Sequence, residues 1–104
     1  MLELRHLRTL SALADAGTLT RAAQRLYLSQ SALSHQIETL EAHYDAPLFE
    51  RKSRPLRWTP VGRRLLTLAE EVGRLVDDAE RDITHMRNGR SGDGAAAVLN
   101  WRTS

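Results

Sequence analysis

The sequence predicts a mainly α protein: three short helices, a two-stranded hairpin, and one long helix that outruns the domain before it. Three observations carry this reading. Apolar residues recur at spacings of three and four in four separate segments, residues that start and stop helices stand between those segments, and the single stretch without helical spacing brackets a basic turn. With 104 residues and no cysteine, the chain makes one small domain that has neither disulfides nor thiolate metal ligands to hold it.

Leu4, Leu7, Leu10, Leu13 and Ala14 recur at helical spacing, and Gly17 follows where a left-handed residue usually ends a helix, so the first helix covers about residues 3–16. Thr18 is a good N-cap for a short second helix, which buries Leu19, Ala22, Ala23 and Leu26 and ends near Leu26. Tyr27, Leu28 and Ser29 make a tight link. Ser29 can cap the third helix, about residues 30–43, whose stripe is Leu33, Ile37, Leu40 and Tyr44. From Leu48 to Thr59 the texture changes: Leu48-Phe49 and Leu56 to Trp58 flank Arg51-Lys52-Ser53-Arg54-Pro55, a small hairpin with a basic tip.

Thr59 and Pro60 then open the long helix, because proline fits the first helical position, where its missing N–H would have no partner anyway. Val61, Leu65, Leu68, Val72, Leu75, Ala79, Ile83 and Met86 run along it at close to heptad spacing. At ~1.5 Å per residue, residues 60–88 make a rod of roughly 43 Å, too long to hide its stripe within one chain. These eight residues are therefore the expected dimerisation seam. The organisation expected is a domain at 1–59, a dimerisation helix at 60–88 and, from its three glycines and lack of period, a flexible tail at 89–104.

Charge is distributed unevenly. Residues 1–64 hold ten basic and six acidic side chains, while residues 65–104 hold five and seven, and six of the ten basic residues crowd between Arg51 and Arg64. A polyanion partner for the front half follows from this. Fourteen of the fifteen positive charges are Arg, which suits bidentate phosphate contacts.

A helix, tight turn and helix over residues 18–43 fits a helix-turn-helix, whose second helix enters the DNA major groove, and small Ala22 and Ala23 let the two helices approach closely. Gln30, Ser31, Ser34, His35 and Gln36 supply polar groups at the start of that second helix. Gln can read adenine through paired hydrogen bonds, and Ser serves bases or phosphate. Spacing alone fits any three-helix core equally well. The adjacent basic hairpin favours DNA, since such a ribbon can lay an Arg into the minor groove, and the combination is a winged helix-turn-helix.

The stretch from Leu19 to Glu41, followed by Pro47-Leu-Phe-Glu-Arg and Leu56-Arg-Trp-Thr-Pro-Val-Gly, resembles the N-terminal domain of LysR-type transcriptional regulators. The resemblance runs from about Leu4 through the long helix. Ser34-His35-Gln36 and the run Arg51 to Pro60 look most like the MetR branch, which regulates methionine biosynthesis. It implies a linker helix paired antiparallel with that of a second subunit, with higher oligomers open to a full-length protein. It further implies base contacts from Gln30, Ser31, Ser34 and His35, a minor-groove contact from Arg54, and backbone contacts from Thr18, Arg51, Lys52 and Thr59. Asp45 stands where the family usually has Gly, a substitution eased by the tolerance of Asp for the left-handed region. The effector-binding domain that follows the linker helix in this family has no counterpart in residues 89–104. Homocysteine, the effector of MetR-like proteins, is therefore not an expected ligand of these residues.

Other classes find little support. The four His residues are scattered; His35 and Glu38 come nearest to a metal pair and have no third ligand, so neither a metal nor a cofactor is expected. No glycine-rich phosphate loop or nucleophile elbow marks an enzyme. A coiled-coil protein-interaction module without DNA binding is the remaining alternative. Charges at Glu3 and Arg5 sit where a signal peptide would be apolar, and the longest apolar run is the five residues from Ala95 to Leu99, so a cytoplasmic location and no membrane partner are expected.

Overall fold

A computed structural model describes residues 1–50, 55–88 and 101. Its helices are α1 (Leu4–Ala16), α2 (Leu19–Leu26), α3 (Gln30–Tyr44) and α4 (Pro60–Asn88). The helical starts and stops follow the capping residues. At the head of α1 the backbone N–H of Glu3 donates to His6 Nδ1 at 3.0 Å, and at its end Gly17 takes φ 82° while its N–H reaches Leu13 O. Thr18 and Ser29 cap α2 and α3 by accepting from the amides of Arg21 and Ala32.

α1 is the central helix and packs against the other three. Its buried surface therefore widens beyond one stripe: Leu7, Leu10, Leu13 and Ala16 are joined by Thr9, Ser11 and Ala12, whereas Leu4 and Ala14, expected in the stripe, are exposed. Ala22 and Ala23 of α2 and Leu33, Ile37 and Leu40 of α3 complete this core. Full burial of each Leu contributes about 1.5–3 kcal/mol, so Leu10, Leu13, Leu33, Leu40 and Leu48 are its main anchors.

Two links are made by residues other than glycine in the left-handed region. Tyr27, at φ 57°, turns the chain from α2 to α3 while the Leu28 amide closes onto Ala23 O at 2.9 Å. Asp45, at φ 51°, ends α3. The chain is then caught by Glu41, whose carboxylate accepts from the Leu48 amide at 2.7 Å.

Of the expected hairpin, the described residues show one antiparallel bridge, Phe49 to Trp58, with the two rings 4.5 Å apart. Glu50 N–H donates to Arg57 O at 2.9 Å, and Leu56 N–H donates to Gly17 O at 3.2 Å, which fixes the base of the hairpin to the α1–α2 turn. Its expected tip, with Arg51, Lys52 and Arg54, lies outside the described residues.

α4 starts as its sequence indicates. The Thr59 hydroxyl accepts from the Gly62 amide at 3.1 Å and donates to Pro47 O at 2.6 Å. Gly62, Leu65, Ala69 and Gly73 form the buried face, and three small residues out of four let α4 lie close to its neighbours. The expected seam divides along its length. Leu65 is buried in this chain's own core, and Leu68 and Val72 pack half-buried against that core, because the first half of α4 lies on α1. Leu75, Ile83 and Met86 extend past the domain and remain exposed.

The tail reading needs a correction at one residue. Trp101 is only 5% exposed. Its indole N–H donates to Ser11 Oγ at 3.3 Å, its backbone N–H to Asp77 Oδ1 at 2.8 Å, and its carbonyl accepts from Arg8 Nε at 3.2 Å. Gly73 makes the room, since a β-carbon there would lie 2.6 Å from Trp101 Cδ1. The other residues of 89–104 lie outside the described residues.

Candidate nucleic-acid interface

Three buried side chains, Leu33, Ile37 and Leu40, define the inner face of α3, so the helical period turns Ser31, Ser34, His35 and Glu38 outward. Ser31, His35 and Glu38 are exposed and Ser34 is half-buried; Gln30, in the first turn, is exposed beside them. All four of the expected base-reading residues thus share one surface at the start of α3. Gln36 does not belong to it: its Oε1 accepts from the Thr9 hydroxyl at 2.7 Å, which ties α3 to α1 from the flank.

Gln30 has a partner that the sequence did not indicate. Its Nε2 donates to the hydroxyl of Thr20, in the first turn of α2. Ten residues separate the two in the chain, and only the helix-turn-helix fold brings the first turns of α2 and α3 together.

Among the expected backbone contacts, Thr18 is half-buried at the head of α2, with exposed Arg21 one turn on. The oxygen of its hydroxyl takes the α2 cap, which leaves the proton to be donated outward. The Thr59 hydroxyl donates to Pro47 O and accepts from the Gly62 amide, so it holds the start of α4 to the loop before it. Arg51, Lys52 and Arg54 lie outside the described residues; the bond from Leu56 N–H to Gly17 O sets Leu56 next to Thr18. Exposed Arg63 and Arg64 lie in the first turns of α4.

Among the described residues no three His, Cys, Asp or Glu side chains are grouped to hold a metal ion. Among the same residues no helix is long and apolar enough to cross a membrane.

Fold and surface together define a helix-turn-helix DNA-binding unit with a long helix behind it. Residues 4–63 match the family model of the bacterial regulatory helix-turn-helix proteins of the lysR family, and the chain belongs to that family. It is 54% identical over 97 residues to the HTH-type transcriptional regulator MetR of Haemophilus influenzae, an alignment covering 93% of this chain and 31% of that protein. To the MetR of Escherichia coli K12 it is 53% identical over 72 residues, covering 69% of this chain and 23% of that one. A BenM DBD in complex with catB site 1 DNA matches in structure with a TM-score of 0.75 at 34% identity, covering 88% of this chain and 99% of that one. The chain spans about a third or less of the length of these MetR relatives.

Proposed function

We propose that the chain binds double-stranded DNA sequence-specifically as a dimer and regulates transcription, with methionine biosynthesis genes as its targets. One observation carries the reading: Gln30, Ser31, Ser34 and His35 stand together on the outward surface of α3, against a helix pair packed through Ala22 and Ala23. In this reading the four side chains face bases in the major groove, Arg54 reaches the minor groove, and Thr18, Arg51 and Lys52 hold the backbone. The similarity to MetR supports the choice of targets. Leu75, Ala79, Ile83 and Met86, on the exposed part of α4, pair with the same residues of a second copy.

Binding selection on random duplexes tests this reading. A recovered site of two inverted halves is expected, because a two-fold dimer presents its recognition helices that way. Gln30→Ala relaxes preference at one position in each half, where a paired contact is worth roughly 1–3 kcal/mol. Arg51→Ala weakens specific and random duplexes alike and makes the salt slope shallower by about one unit. Mobility shifts that show no duplex binding at low salt would leave the protein-interaction module as the reading.

A further inference from the structure

We infer that Thr20 is a positioning residue for base recognition: its hydroxyl holds the Gln30 amide in the orientation that reads the base. The inference rests on the proposed role of Gln30 and extends it to a residue of the other helix. The observation is the hydrogen bond from Gln30 Nε2 to Thr20 Oγ1, made between two exposed side chains at the first turns of α3 and α2.

An exposed glutamine has three side-chain torsions, and fixing them on binding costs free energy that a pre-existing tether removes in advance. Thr is suited to the tether because branching at Cβ leaves its χ1 few choices, whereas a longer side chain would move with its partner. The bond uses one of the two Nε2 hydrogens. One N–H and the Oε1 acceptor remain, which is the donor and acceptor pair that matches N7 and N6 of adenine. The tether holds the amide at the start of α3, so that its free N–H and Oε1 are presented side by side to the groove. The α2 helix thereby contributes to sequence preference without touching a base.

The same random-duplex selection is run on the full chain with Thr20→Val, Thr20→Ser, Gln30→Ala and the Thr20→Val/Gln30→Ala pair, each with its melting temperature. Val matches Thr in shape and lacks the hydroxyl. Thr20→Val is expected to reduce preference by about threefold to tenfold, the worth of one immobilised side chain, only at the base pair that Gln30→Ala relaxes. Its affinity for random duplex and its melting temperature stay near the wild-type values, and Thr20→Ser recovers most of the preference. In the Gln30→Ala background Thr20→Val has no further effect at that base pair. If Gln30→Ala relaxes the site but Thr20→Val leaves it intact, or if Thr20→Val acts equally with Gln30 absent, the positioning role is overturned while the reading by Gln30 stands. If Gln30→Ala itself changes nothing, the reading by Gln30 fails and the role of Thr20 goes with it.

Discussion

A β-carbon at Gly62 would overlap the carbonyl oxygen of Leu48, a backbone atom that cannot rotate out of the way. Gly62→Ala therefore forces α4 off the loop that carries Leu48, a cost of about 1–3 kcal/mol or more that outweighs the ~1 kcal/mol Ala gains in helix propensity. A thermal melt is expected to show a loss of several degrees. His6 makes a different kind of prediction. Burial, more than the nearby Arg5 and N-terminus, holds its pKa below 6.5, and Glu3 opposes the shift only in part. A histidine whose folded pKa is depressed stabilises the fold fully above the unfolded value; the stability drains as pH falls below about 6.5, where the unfolded chain takes up a proton first. Protonation would also remove the Nδ1 lone pair that accepts from Glu3 N–H. Urea midpoints at pH 7.5 and 5.5 should differ for the wild type and converge for His6→Gln, which retains an acceptor and does not titrate. At this scale the sequence was legible where chemistry is local, as at Thr18 and Ser29. It did not indicate the hydrogen bonds of Gln36 and Thr59, whose partners, Thr9 and Pro47, belong to segments the sequence does not place beside them.

Among the elements, all four helices were legible to within a residue at either end, because α2, α3 and α4 start at the capping side chains of Thr18, Ser29 and Thr59 and α1 ends at Gly17. The bridge between Phe49 and Trp58 was less so, since it depends on two residues apart in the chain meeting in space. Two helix ends use a residue with a β-carbon in the left-handed region, and that conformation costs roughly 1–2 kcal/mol that glycine avoids. Tyr27 is 94% exposed, so little packing is lost with its ring. After allowance for the extra freedom of glycine in the unfolded chain, Tyr27→Gly should raise stability by about 0.5–1 kcal/mol. Asp45→Gly should gain less, because Asp is better suited to that region than Tyr. Denaturant midpoints of the two variants check both size and order.

For the molecule as a whole, α4 is two structures in one helix. Its first half completes the core, and its second carries Leu75 at 69% and Met86 at 77% exposure. The sequence shows them as a single seam, because a core-facing stripe and a coiled-coil stripe share most of their positions over a few turns. Substitutions in the two halves should therefore separate. Leu75→Lys with Met86→Lys is expected to give folded monomers, while Leu65→Lys unfolds the domain; sedimentation with circular dichroism distinguishes the two, and a wild-type chain monomeric at micromolar concentration would refute the dimer. Trp101 was illegible for a related reason: its hydrogen-bond partners, Arg8, Ser11 and Asp77, lie 24 to 93 residues away along the chain. Its burial has an optical consequence. The chain has two tryptophans, with Trp58 against Phe49 at the base of the hairpin and Trp101 between α1 and α4. Each therefore emits from a different part of the molecule. With Trp101→Phe the remaining fluorescence follows the hairpin alone, and with Trp58→Phe it follows the groove at Gly73, where a shift to the red marks the indole moving into water.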